Sequence, residues 1–366
     1  MGGGELFSAL QAWSKREGQR GPRAFVGFDG FVDTMYRVVR ERGAAGAVFF
    51  DTIRAFARHV EAAAGQSADI ELVHQETRLG GNGPLLANAL AALGVSTTCA
   101  GAMGYPRLRP AFAGMDPACE KLTLCEPGEC SAYEFSDGKL MFADLAPLDA
   151  LDWPLVKERA GLSRLRERIG GSDLVALVDW GGLVKAQGVW EGLAEEVLLQ
   201  TLPDRGTPRR LFIDLADISK RTSSDVKAML GLLRRCAGRW DVTLGLNEHE
   251  AWALLARISV ARPHSREEIC QALFDALGLH AVVIHPIDRS YAVSREGLVM
   301  RAGSVVASPL ASTGGGDNFN AGYCLGWLMG LAQEHCLDLG MTVSRMYVGT
   351  GRSPGIPALM NEIAGN

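Results

Sequence analysis

Three consecutive glycines, Gly314, Gly315 and Gly316, stand immediately before Asp317 in the stretch ASTGGGDNFNAGYCLGWLMG, 311–330. An uncharged run from Asn318 to Gln333 follows. Apolar or small residues fall on nearly every face of that run, which predicts a deeply buried helix. A Gly-rich turn entering a helix aims several backbone N–H groups at one point, and the helix dipole adds positive potential there. Such a point suits an anion, above all a phosphate that gains charge in a transition state. A carboxylate beside an anion hole makes sense where it takes a proton from a hydroxyl that attacks the phosphate. The spacing fits equally well a plain Gly-rich helix start with Asp317 as capping carboxylate.

Four further stretches carry polar residues where chemistry would need them. Gly80-Gly81-Asn82-Gly83-Pro84 precedes a helical run, and Asn82 both donates and accepts, which suits a polyol. Asp33 lies past the apolar run AFVGF, four residues after Asp29. Asn247 and Glu250 have the spacing of a capping pair, and equally of polar groups around a hydrated Mg²⁺. His285 and Arg289 occupy the turn HPIDRS after AVVI; Arg289 can meet a phosphate, and His285 reads first as a packed histidine.

The elements that must hold these residues are legible as a rhythm. Continuous apolar runs at 24–31, 95–102, 173–180, 210–217, 242–247 and 281–287 read as strands. Helical runs at 51–65, opening with Asp51 as N-cap, and at 84–93, up to about 200, 225–238 and after 247 alternate with them. Uninterrupted apolar strands between helices predict an α/β fold with a mainly parallel sheet covered on both faces. Several of these strands end in a polar residue, and ligands collect at the carboxyl ends of such sheets. The segment 120–145 breaks the rhythm with alternating strands and a turn at Ser136-Asp137-Gly138, which predicts antiparallel hairpins outside the main sheet. No linker divides the chain, so 1–366 is expected to be one domain, with a small β lid from about 34–50 and 118–145.

Taken together the motifs resemble the ribokinase-like, or PfkB, family of carbohydrate kinases. Its C-terminal signature, Asp-Thr-x-Gly-Ala-Gly-Asp-x-Phe-x-x-Gly, is similar to Ala311-Ser312-Thr313-Gly314-Gly315-Gly316-Asp317-Asn318-Phe319-Asn320-Ala321-Gly322. Ala311 and Ser312 depart from it. The resemblance implies a three-layer α/β/α domain with a β lid over a sugar, Asp317 as catalytic base, and an anion hole from Gly314 to Gly316. It implies substrate contacts from Asp33, Gly81 and Asn82. Asn247, His285, Arg289, Thr313, Asn320 and Gly351 fall on its nucleotide side, with Glu250 and Asn247 holding Mg²⁺ through water. Asp214, at the end of RLFID, occupies a strand-end position where the family often has Asp. The implied cofactors are ATP and Mg²⁺, and lid sheets of this kind often pair two subunits.

Composition narrows the alternatives. Lys and Arg number 37 against 42 Asp and Glu, a formal charge of −5, so no excess of cations is available to clamp nucleic acid. The N-terminus lacks the pattern of a secretory signal, and the uncharged stretch 80–106 carries too many Asn, Ser and Thr residues for a membrane span. The eight cysteines form no Cys-x-x-Cys pair, as expected of packed thiols in a cytoplasmic protein. No P-loop and no Gly-x-Gly-x-x-Gly after a strand occurs. The expected function is ATP- and Mg²⁺-dependent phosphorylation of a hydroxyl on a sugar-like molecule. Two other readings stay open. One is a non-catalytic sugar- or nucleoside-binding protein, motivated by the turn at 285–290 and by Ala311. The other is a nucleoside or vitamin kinase on the same fold.

Overall fold

The computed structural model describes residues 3–16, 21–44, 46–200, 209–258, 263–307, 309–311 and 313–365. Strands run in chain order as β1 (Arg23–Phe28), β2 (Phe31–Gly43), β3 (Gly46–Phe49), β4 (Leu72–Gly80) and β5 (Ser96–Gly101). They continue as β6 (Cys119–Thr123), β7 (Gly128–Phe135), β8 (Gly138–Asp144), β9 (Leu174–Leu177) and β10 (Arg209–Asp214). The last four are β11 (Trp240–Leu246), β12 (Ala281–Ile284), β13 (Arg289–Ser294) and β14 (Gly297–Ala302).

The main sheet has the order β14-β13-β12-β11-β10-β9-β1-β5-β6. Every pairing from β12 to β6 is parallel, and β13 and β14 close the other edge as an antiparallel hairpin. Alternation along each strand explains the continuous apolar runs. Phe25 and Phe28 of β1, with Val175 and Leu177 of β9, enter one core cluster. Ala24, Val26, Leu174 and Ala176 enter the other, against the helices Asn82–Ala92 and Gly315–Leu328. Both faces are buried, so apolar residues dominate both sets of positions.

A second, five-stranded sheet stands apart, with the order β3-β2-β7-β8 and β4 on the free edge of β2. It differs from the expected lid in three ways. Residues of β6 join the main sheet beside β5. The pairing of β2 with β7 is parallel, so the sheet is not wholly antiparallel. And β4 is a strand with no apolar alternation: His74 to Arg78 are five polar residues on a largely exposed edge, where a strand needs no buried face. The small sheet rests on the helix Ile53–Ala62 through Val38, Phe50 and Phe56. That helix is capped by Thr52, whose hydroxyl accepts from the Ala55 amide, and not by Asp51.

Among the described residues no helix is long and apolar enough to cross a membrane. All eight cysteines are buried and free.

Candidate active site

The helix Gly315–Leu328 begins at the carboxyl edge of the main sheet. Its N-cap, Gly314, has φ +94°, and a Cβ there would lie 2.7 Å from the Tyr347 hydroxyl, so only glycine fits. Tyr347 donates to the Thr313 carbonyl at 3.0 Å, and the Ser344 hydroxyl donates to the Gly315 carbonyl at 2.8 Å. The helix Gln333–Thr350 thus braces the turn from behind. Among the described residues no side chain caps the helix start. The amides of Gly315, Gly316 and Asp317 therefore have no acceptor within the helix.

Two cavities meet at this turn. One, of about 550 Å³, is lined by Asp33, Gly81, Asn82, Thr313 and Asp317 together with side chains of the small sheet. Five positions singled out in the sequence thus converge. The other, of about 330 Å³, is lined by Gly315, Gly316, His285, Phe319, Arg345 and a largely apolar wall that includes Val305 and Val348. The His285 ring stacks on Phe319 at 4.7 Å, and burial holds its pKa down to about 4, so it is neutral. Its Nε2 atom is buried without a partner among the described residues.

Asp317 is 7% exposed, and its Oδ1 has no hydrogen-bond partner among the described residues. Burial, and then the carboxylates Asp214 and Asp29, push its pKa well above the ordinary carboxylate value. An unpaired buried carboxyl facing a cavity is costly unless a ligand satisfies it. Asp33, on β2, is also buried; burial raises its pKa, while Arg78 and Lys139 beside it act the other way. Asp29 plays a different part. Its carboxylate accepts from the amides of Asn82 and Gly83 at 2.7 and 2.6 Å, so it caps the helix Asn82–Ala92 and fixes the loop that carries Gly81.

Asn247 and Glu250 adopt the capping-pair arrangement. The Asn247 amide donates to Glu250 Oε2 at 2.8 Å, and the Glu250 amide donates to Asn247 Oδ1 at 2.9 Å. Burial, and then Asp214, raise Glu250 to about 8. Asn320 donates to Asp214 at 2.7 Å inside the core and lines neither cavity. Thr313 lies on the side of Asp33, not on that of His285, and its hydroxyl accepts from Lys139 of β8 at 3.3 Å. Arg289 is exposed beside Asp288 and lines neither cavity, so it is not brought to the turn. Gly351 is the C-cap of the helix Gln333–Thr350, with φ +71°, and lines neither cavity. Ser312 lies outside the described residues.

Lys139 and Arg78 are additions that nothing in the sequence marks. Both come from the small sheet, at 11% and 19% side-chain exposure. Asp179 is a third: it ends the run DLVALVDW just as Asp214 ends RLFID, so its signal was present. It lines the first cavity, and its φ is +53°.

A family model described as prokaryotic ketohexokinase matches residues 14–365. The chain belongs to the prokaryotic ketohexokinase family. A ketohexokinase of Haloferax volcanii is 32% identical over 337 residues, covering 91% of this chain and 88% of that protein. Among solved structures, Arabidopsis thaliana ribokinase complexed with ribose and ATP matches with a TM-score of 0.63 at 15% identity, covering 94% of this chain and 99% of that one. Adenosine kinase from Sinorhizobium meliloti matches with a TM-score of 0.64 at 17% identity, with the same coverage. These two likenesses show the ribokinase-like fold. As a member of its family the chain is a carbohydrate kinase, an enzyme that transfers a phosphoryl group to an alcohol. The non-catalytic reading is set aside.

Proposed function

We propose that this enzyme phosphorylates a hydroxyl of a ketohexose at the expense of ATP. The observation that carries the proposal is the uncapped, Gly-rich helix start between a polar cavity and an apolar one, with the unpaired Asp317 carboxyl on the polar side. Asp33 and Asn82 hold sugar hydroxyls, and Asp317 takes the proton of the hydroxyl that attacks. The amides of Gly315 and Gly316, with Gly314 shaping the turn, meet charge on the transferred phosphoryl. Lys139, bonded to Thr313, brings a cation from the small sheet to the same turn. The small sheet acts as a lid that keeps water from replacing the sugar as acceptor.

The apolar cavity suits a nucleotide base, and the adjoining glycine amides suit its phosphates. For Mg²⁺ the fit is indirect. Among the described residues no three His, Cys, Asp or Glu side chains are grouped tightly enough to ligate a metal ion. Asn247 and Glu250 already satisfy each other. They suit an ion that keeps its waters, which would supply charge neutralisation at the phosphates. The carboxyls Asp29, Asp214, Glu250 and Asp317 are all raised first by burial, and Asp214 raises the other three further, which supports the need for such a cation.

The test is ADP release with a panel of ketohexoses, aldoses and nucleosides. Turnover highest on a ketohexose upholds the reading; turnover confined to a nucleoside overturns it. Exposed Phe142 and Val48 on the small sheet support, in addition, a homodimer formed through the lid.

A further inference from the structure

A cavity of about 630 Å³ lies at the opposite edge of the main sheet from Asp317. The starts of β10 and β11, the β13–β14 turn and the far end of the helix Gly315–Leu328 enclose it. Its walls include Arg210, whose guanidinium lies 5.6 Å from the centre of the Trp327 ring. Among the described residues that guanidinium has no hydrogen-bond or ion-pair partner, and its Nε is buried. Burial accordingly pulls the Arg210 pKa down, against the attraction of Asp241. Two other half-buried arginines are better supplied: Arg257 donates to backbone carbonyls from all three of its nitrogens, and Arg221 does so from both terminal nitrogens, although its Nε too lacks a partner among the described residues. A desolvated guanidinium without an acceptor is costly, and its planar fork matches the oxygens of a phosphate or carboxylate.

The rest of the wall narrows the ligand. Trp327 is held flat, because the His280 ring stacks on it at 5.6 Å and 19° while pairing with Asp241 at 3.4 Å. Arg295 adds an exposed cation from the β13–β14 turn. Asp241 and Glu296 face the same space, so a bare anion would meet carboxylates as well as cations. Gln333 accepts from the Tyr323 hydroxyl at 2.7 Å, which leaves its NH₂ group to donate into the cavity. An anionic group for Arg210, hydroxyls for the carboxylates and the amide, and a C–H face for the tryptophan describe one class of molecule. We infer that this cavity is a second ligand site, for the phosphate ester of a sugar or other small polyol. The inference does not depend on the acceptor or donor used at Asp317.

Calorimetry on the full chain tests it, with fructose 6-phosphate, glucose 6-phosphate and glycerol 3-phosphate titrated singly, and with inorganic phosphate and fructose as comparison probes. At least one ester is expected to bind with Kd below ~1 mM, about tenfold more tightly than inorganic phosphate or the free sugar. Arg210→Met should weaken that binding about tenfold or more, as befits a charged hydrogen bond, and Asp33→Asn, in the other cavity, should leave it intact. Turnover of Arg210→Met without added ester should stay within about twofold of wild type. Where Arg210→Met fails to fold, Arg295→Gln, at an exposed position, serves instead, with an expected loss of about threefold. No ester binding, binding untouched by these variants, binding lost in Asp33→Asn, or inorganic phosphate binding as tightly as the best ester would each overturn the inference.

Discussion

Two Gly-rich helix starts face the carboxyl edge of the sheet, and they are in opposite states. At Gly80–Gly83 the amides of Asn82 and Gly83 are filled by the Asp29 carboxylate from within the chain. At Gly314–Gly316 no side chain among the described residues caps the helix, and none of them pairs with one oxygen of the neighbouring Asp317. The same backbone device is therefore a structural joint in one place and, in the proposed function, an open anion site in the other. What separates them is whether the fold delivers its own carboxylate to the amides. Gly-rich sequence is common to both and does not decide between them.

The largest expected effect tests the open site. Asp317→Asn keeps the shape of the side chain and removes its ability to take a proton, so kcat should fall by about 10³-fold, with KM for the sugar changed far less. A variant near wild-type turnover would make Asp317 another capping carboxylate and erase the contrast with Asp29. Next comes the turn itself. Gly314→Ala forces a side chain into a positive-φ position against Tyr347, and a displaced turn should lower kcat by about 10²-fold. Steady-state kinetics on soluble variant check both.

Much of this contrast was legible in the sequence and part was not. The parallel sheet and the helix after Asp317 follow from uninterrupted apolar runs, which only a structure buried on both sides permits. Asp33, Asn82 and Asp317 were placed by local motifs, and they do line one cavity. The partner of the Asn82 loop was not legible: Asp29 reaches it across 53 positions, and no local pattern encodes such a bond. For the same reason Lys139 gave no sign of its contact with Thr313, 174 positions away. Strand β4 escaped notice because an exposed edge leaves no apolar alternation. Arg289 was a natural phosphate candidate by chemistry, yet it opens a hairpin strand whose register sends it to solvent beside Asp288.

The filled site gives a smaller and different effect. Asp29→Asn turns one of the two acceptor oxygens into an NH₂ group and leaves one amide unpaired, which should cost about 2 kcal/mol of stability, read as a lowered urea midpoint. The fall in kcat should stay under about tenfold, because Asp29 supports the loop and accepts no proton from substrate. A loss of turnover as deep as that of Asp317→Asn, in protein of normal stability, would mean that both helix starts serve the reaction.

The smallest effect is a slope with pH, and it opposes the demands of stability and activity. Asp29 is raised to about 7 and Glu250 to about 8, in both cases mainly by burial, and Asp317 is raised well above its usual range. In the folded chain these groups hold protons that the unfolded chain has already released near pH 4. Unfolding therefore releases protons, and stability must fall as pH rises through this range. His285, held down to about 4, acts in the opposite sense, but only below the ordinary histidine pKa near 6.5. Between pH 6.5 and 8 the carboxyls act without that opposition, so Tm of the metal-free protein should decline across the interval. In its proposed role Asp317 must be deprotonated, so kcat/KM should climb as pH rises above the ordinary carboxylate range. Asp29→Asn should flatten the Tm slope by removing one of the late-ionising carboxyls, while leaving the climb in kcat/KM in place. A Tm that holds level or rises from pH 6.5 to 8 would show that these carboxyls ionise at ordinary pH, and the unpaired oxygen of Asp317 would no longer mark a base whose pKa burial has raised.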